Sequence, residues 1–198
     1  MKKLLLLPIM GSLLLATNLD NIMLNLNNKN YDKAITLLKQ QKETKQIDFL
    51  LGEAYYKRHL TYTDYKLAMK YLKKAKTPKS YYYIAKMYEN GLGVKKDINE
   101  AIRYYKLSNT KEAKYELAKY YLEGKYLLKD PKIAIKLLKE SAKEGCTKAQ
   151  YLLGKLYLDD TILPQNFKEA AKWLYLAAQN GDDKAKALWN KYKLWRFQ

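Results

Sequence analysis

The sequence predicts an all-α solenoid of helix-turn-helix repeats, with about four to five units and a C-terminal capping helix. Three observations carry this. Small residues return at a fixed interval, tyrosines return with them, and Gly and Pro are scarce, at 8 and 4 in 198 residues. So few breakers over this length leave long helices joined by short turns.

The N-terminus reads as a leader. Met1-Lys2-Lys3 is a short positive region, and Leu4 to Leu15 is almost wholly apolar, broken only by Pro8, Gly11 and Ser12. Twelve residues of helix span about 18 Å, too short for a hydrocarbon core of about 30 Å. Polar Thr17, Asn18 and Asp20 follow at once. This is the pattern of a cleavable secretory signal over residues 1–16, cut after Ala16; an uncleaved short anchor is the alternative. No Cys lies nearby, which disfavours a lipid-anchored form. Cleavage removes Lys2 and Lys3 and takes the net charge from +18 to +16.

A single repeat domain is expected over 19–198. Asp20 to Asn28 and Tyr31 to Gln41 read as a first helix pair, a unit of about 20–43. Ala34, Ile35, Leu37 and Leu38 mark one face of its second helix, and Asn30 suits its N-cap. The following units are expected at about 46–77, 79–109, 112–145 and 148–181, with the cap at 182–195.

The repeat is visible as columns. Gly52, Ala85, Ala118 and Gly154 are spaced by 33, 33 and 36 residues, and each is followed three residues later by a tyrosine: Tyr55, Tyr88, Tyr121 and Tyr157. Ala68, Ala101, Ala134 and Ala170 repeat the same spacing, and Ala34 extends it 34 residues upstream. Ala75, Ser108, Ser141 and Ala177 form a fourth column. A small side chain lets two helix backbones approach, and the tyrosine fills the space beside the contact. One helix pair cannot bury its apolar face alone, so neighbours must stack. In the last segment Ala185 keeps the small position. Trp189, with Trp195, is expected to cover the open end.

The units resemble tetratricopeptide repeats in length, and more closely the Sel-one-like repeat family. Ala149-Gln150-Tyr151-Leu152-Leu153-Gly154-Lys155-Leu156-Tyr157 matches that family's first helix. Gly91-Leu92-Gly93-Val94 with Asp97 matches its turn, and Ala170-Ala171-Lys172-Trp173 with Ala177-Ala178 matches its second helix. The resemblance covers roughly Ile47 to Ala187 and implies a right-handed α-α superhelical solenoid. The turns Arg58 to Thr63, Gly124 to Lys129 and Asp159 to Gln165 depart from it by lacking the double glycine.

Charge is the unusual feature: 38 Lys plus Arg against 20 Asp plus Glu. Such a surplus attracts anionic surfaces and polymers. Arg, the residue suited to forked phosphate or base contacts, occurs only at 58, 103 and 196. Scarce Arg and the export signal argue against a specific nucleic-acid partner.

Two surfaces follow from the period. In the second helices, Ala68, Leu72 and Ala75 point inward, so positions 66, 70 and 73 point outward at 100° per residue. Across the copies these are Lys66, Asn99, Lys132 and Lys168; Lys70, Arg103, Lys136 and Lys172; Lys73, Lys106, Lys139 and Tyr175. Ten of these twelve are cations, a basic ridge on a face that in helical solenoids is solvated. In the first helices, Phe49, Tyr82, Tyr115 and Tyr151 are expected to face away from the core beside Glu53, Lys86, Lys119 and Lys155. Such an aromatic column beside a basic one suits an extended peptide or a glycan; packing between units is the alternative use of those rings.

Catalytic motifs are weak. Gly91-x-Gly93 lacks both the third glycine of a dinucleotide loop and the Gly-Lys-Ser/Thr of a P-loop. Ser108-Asn109-Thr110-Lys111 fits Ser-x-x-Lys, but no Lys-Thr-Gly partner exists and Ser108 sits in a packing column. The resemblance extends to cysteine-rich secreted relatives described as penicillin-binding or β-lactamase proteins, which carry a Cys pair in each repeat; this chain has only Cys146. With one Cys, an intrachain disulfide is impossible. With His59 as the single histidine, no metal site and no cofactor are implied. Asp159-Asp160 and Asp182-Asp183 read as caps. The expectation is a periplasmic or secreted bacterial protein, monomeric and not inserted in a membrane after cleavage. It would bind a protein or peptide; an envelope glycan or other anionic polymer on the ridge, and a β-lactamase-like hydrolase, are the alternatives.

Overall fold

The computed structural model describes residues 18–58 and 61–197. The expected leader, residues 1–16, and His59 lie outside them. Helices make up the described residues: α1 (18–27), α2 (Tyr31–Lys39), α3 (Lys45–Arg58), α4 (Tyr62–Ala75), α5 (Pro78–Asn90), α6 (Ile98–Ser108), α7 (Lys111–Glu123), α8 (Pro131–Lys143), α9 (Thr147–Leu158), α10 (Phe167–Gln179) and α11 (Asp183–Lys191), then a 3₁₀ turn over Leu194–Phe197. No strand occurs among them. The chain divides into two compact units, Met1–Asp97 and Ile98–Gln198.

In the first unit α3 packs on α2, α4 and α5. Its closest approach is at Gly52, where a β-carbon would lie 2.6 Å from Leu72 Cγ on α4. Tyr55, three residues on, stacks flat on Tyr71 with centroids 5.8 Å apart. The Arg58 guanidinium lies 5.2 Å from the Tyr55 ring centre. It donates to Asp32 Oδ1 on α2 at 2.6 Å and to buried Asp64 on α4, so one side chain ties three helices. Helix starts are chemically specified. Thr61 and Thr77 form capping boxes with Asp64 and Ser80, and Pro78 takes the first turn of α5. Asn30 occupies the N-cap of α2, yet its side chain makes no capping bond.

The Gly91-x-Gly93 turn has two separate reasons. Gly91 closes α5 in the left-handed region (φ 72°), and Leu92 N–H reaches back to the Met87 carbonyl at 2.9 Å. Gly93 (φ 68°) lies against the start of α4, where a β-carbon would fall 2.8 Å from the Tyr65 carbonyl carbon. The turn is a docking joint.

In the second unit α7 pairs with α8, α9 with α10, and α8 and α10 each also contact the next first helix. Gly154 repeats the Gly52 contact, with Leu174 Cγ 2.6 Å from the position of a β-carbon. Thr110, Asp130, Asn166 and Asp182 cap α7, α8, α10 and α11. The seam between α7 and the end of α8 is bridged by buried Lys114, 2.5 Å from Glu144 and 3.4 Å from Glu140. One period later the same positions carry Gln150 and Asn180, joined amide to amide at 3.0 Å. Phe197 stacks on Phe167 at 5.2 Å, and Trp189 lies 5.4 Å from Tyr175. Trp189 does pack on the core, but Trp195 is 51% exposed; fully buried Leu194 closes this end instead.

A backbone bond recurs in three turns. The N–H before each second helix reaches the carbonyl of the column tyrosine: Asp97 to Tyr88 at 2.9 Å, Asp130 to Tyr121 at 3.0 Å, and Asn166 to Tyr157 at 2.9 Å. The alanine column, Ala34, Ala68, Ala101, Ala134 and Ala170, is fully buried throughout.

Two stability predictions follow from this packing. Gly154→Ala improves helix propensity by about 1 kcal/mol but drives a methyl into Leu174. Overpacking of this kind costs about 1–3 kcal/mol. The urea midpoint of the variant is therefore expected to fall; a midpoint that rises refutes the contact. Asp48 on α3 is buried, its Oδ1 accepts no hydrogen bond, and the Lys74 ammonium is 3.9 Å away. Burial raises its pKa above the ordinary 3.8. A carboxyl whose folded pKa is raised is destabilising while ionised, and that loss disappears as pH falls through the raised value. Asp48→Asn never carries the charge. It is expected to melt above wild type at pH 7, with the difference shrinking on acidification. A lower melting temperature at pH 7 overturns the assignment.

Candidate functional site

In the first unit the first helices present a set of rings. Tyr83 on α5 meets Tyr56 on α3 edge-on at 4.9 Å, with Phe49 at 6.2 Å and Tyr82 at 5.7 Å; Tyr65 of α4 meets Tyr56 at 6.2 Å. Phe49 does not face solvent as expected: it is 7% exposed, because Tyr83 from the following first helix lies over it. Tyr82 is half-buried. The Tyr83 hydroxyl donates to Glu53 Oε1 at 2.7 Å, and Glu53 also holds Lys57 at 2.9 Å. Burial pushes the Tyr83 hydroxyl far above its usual pKa, and the Glu53 carboxylate adds to the shift. Burial likewise raises Tyr56. Lys86 is not a bare cation, being paired with Glu89 at 2.6 Å.

In the second unit, Tyr115 of α7 and Tyr151 of α9 come together on one open hollow of about 480 Å³. Lys148, Gly181, Asp182, Asp183 and Lys184 complete its lining. Lys119 leans over the Tyr115 ring at 5.3 Å and pairs with Glu116 at 2.6 Å. Lys155 is exposed and does not line the hollow. Asp182 Oδ1 accepts the Ala185 N–H at 2.9 Å, so this carboxylate is used in capping α11. The column reading found the two tyrosines and missed the lysines. Lys148 and Lys184 are 36 residues apart, the spacing of the last columns, so extending the period into α11 finds them.

The second-helix cations are all at the surface. Lys70 and Lys73 are exposed in the first unit, and Arg103, Lys106, Lys136, Lys139 and Lys172 in the second. Arg103 pairs with Glu100 through two bonds of 2.9 and 2.8 Å and lies 4.2 Å from the Tyr104 ring centre. Lys172 sits over Trp173 at 4.8 Å, and Lys139 over Tyr157 at 6.0 Å. Their stems cover aromatic surface while the ammonium groups stay in water.

Ser108 is 2% exposed and shares a hydrogen bond of 3.0 Å with Thr110 Oγ1. The Lys111 ammonium is bound by the Gly145 carbonyl at 3.4 Å. The Ser-x-x-Lys pair is thus not assembled as nucleophile and base. Cys146 is a buried free thiol at the start of α9. Among the described residues no group of three His, Cys, Asp or Glu could hold a metal, and no helix is long and apolar enough to cross a membrane.

Stacked helix pairs, a buried small-residue column and surfaces presented by successive first helices define an α-α solenoid of repeats. The chain belongs to the Sel1 repeat family, whose model matches residues 48–77, 78–109, 111–146 and 147–182. Repeats of this family generally mediate protein–protein interaction and form non-catalytic scaffolds. The chain is similar to the crystal structure of a Sel1 repeat protein from Oxalobacter formigenes, at 25% identity and a TM-score of 0.75, over 87% of this chain and 74% of that one. It is also similar in fold to a protective antigen of uropathogenic Escherichia coli strains, described as displaying an SLR fold. There the identity is 24% and the TM-score 0.67, over 76% of this chain and 34% of that one. No curated protein matches the chain.

Tyr83→Phe removes one hydrogen bond to a carboxylate while keeping the ring stack. A loss of about 1.5–3 kcal/mol in urea unfolding is expected. An unchanged urea midpoint refutes the buried pairing.

Proposed function

We propose that this Sel1 repeat protein is a binding scaffold that holds a segment of a partner protein on its first-helix surface in the second unit. The observation that carries the reading is the open hollow shared by Tyr115 and Tyr151. Tyrosine offers a large rigid contact area with a hydroxyl at low entropy cost. Here two rings from successive first helices line one concavity. The protein is not an enzyme on this reading, and the buried Ser108 supports that. Removal of residues 1–16 would deliver it as a monomer to the periplasm or the exterior of a bacterium, where cell-envelope proteins are the available partners; the charged start and apolar run of the leader support this.

A second reading has its own observation. Lys70, Lys73, Lys106, Lys136, Lys139 and Lys172 have no carboxylate partner among the described residues. On this reading the lysines of each unit would hold an anionic envelope polymer, with affinity falling steeply as salt rises.

Site-specific photo-crosslinking in envelope extracts separates the two. A crosslinker at position 151 is expected to trap discrete protein bands that persist in raised salt and weaken several-fold in Tyr115→Ala. Trapping at position 136 that vanishes with salt, with none at 151, favours the polymer. No trapping at either position refutes the scaffold.

A further inference from the structure

We propose that the hollow of the second unit selects an acidic, extended protein segment, whose carboxylates lie between Lys148 and Lys184 while its side chains rest on Tyr115 and Tyr151. This rests on the protein-binding reading above and specifies the chemistry of the partner.

The argument begins with what each lining group is already doing. Lys86, Lys114 and Lys119 of other first helices are tied to glutamates of the protein itself, while Lys79, Lys155 and Lys186 are not but stand outside the hollow. Lys148 and Lys184 have no such partner among the described residues. They sit at the second position of α9 and α11, one period apart, so successive first helices each deliver one ammonium to the same hollow. Asp182 and Asp183 line the same hollow; Asp182 accepts the Ala185 N–H through Oδ1, a bond that leaves its charge in place. Neither it nor Asp183 forms an ion pair with Lys148 or Lys184.

The lining contains no Leu, Ile, Val, Met or Phe. Its apolar surface comes from two tyrosine rings and the lysine stems, which offer no deep anchor for an aliphatic side chain. The hollow is also open, which suits a chain passing across it better than an enclosed small molecule. Lysine is a compact point charge that accepts a carboxylate in any orientation. With a net charge of +18 on the whole chain, an acidic partner is also drawn in at long range.

That global charge is the rival explanation, and the test must remove it. A random library of displayed peptides, about twelve residues long, is selected on the immobilised full-length chain near physiological salt. Enriched sequences are expected to be rich in Asp and Glu. In fluorescence anisotropy, an enriched peptide is expected to bind Lys148→Glu/Lys184→Glu at least about tenfold more weakly. It should bind Lys168→Glu/Lys172→Glu, an equal charge change on the outer face of α10, within about twofold of wild type. All four lysines are exposed, and matched melting curves confirm that both variants fold. Enrichment of neutral or basic peptides overturns the acidic specificity and leaves the protein-binding reading standing. Equal weakening in both variants shows diffuse polyanion attraction and overturns the hollow as the site. Absence of any enrichment refutes the protein-binding reading along with this one.

Discussion

Where Gly154 would carry a β-carbon, the Leu174 side chain already sits 2.6 Å away, and Gly52 stands in the same relation to Leu72. This approach of first helix to second sets the other dimensions of a repeat. It brings the column tyrosine to the turn, where the Tyr88, Tyr121 and Tyr157 carbonyls each receive a backbone N–H from the residue before the next second helix. It presses the alanine column out of contact with water. The remaining polar groups are then satisfied one seam at a time, by the Arg58 fork in the first unit and by Lys114 or Gln150 in the second. Apolar contact supplies the attraction, and the polar bridges fix which residues meet.

The fold was legible in the sequence because it is written several times over. Gly52, Ala68 and Ala75 mean little alone; set beside Ala85, Ala101 and Ser108 they mark one buried line through each repeat. A helical wheel sorts residues of one helix into inner and outer faces, and this suffices for the second-helix cations, which all lie in water. It failed for Phe49 because that ring is covered by Tyr83 of a different helix. It missed the rest of the hollow because the columns were not carried into the turn before α11, where Gly181 repeats Gly145 thirty-six residues on. Trp195 was misplaced for a related reason: composition marked the bulkiest ring as the closure, whereas the 3₁₀ turn directs Leu194 inward.

First and second helices differ in how their charges are managed. On the second helices, lysines stand in water over neighbouring aromatic rings, an arrangement that keeps a repeat protein dispersed through mutual repulsion. On the first helices Lys57, Lys86, Lys114 and Lys119 are matched by glutamates, and the surface is shaped by tyrosine. Lys148 and Lys184 have no such partner among the described residues, and they line the hollow. Recognition through such a surface relies on contact area and a few placed charges.

The two seams of the second unit have a consequence for how this chain can change length. Tandem duplications gain and lose copies when recombination slips by one period. Here a slip that removes one 36-residue period would set Lys114 opposite Asn180 in place of Glu144. An ammonium that is now nearly enclosed between two carboxylates would then face a neutral amide, and a buried cation robbed of its counterion is among the costlier single defects a fold can carry. Neighbouring copies that began alike have become non-interchangeable parts, each keyed to its own successor. The number of repeats is thereby guarded against any slip whose breakpoints leave Lys114 without Glu144.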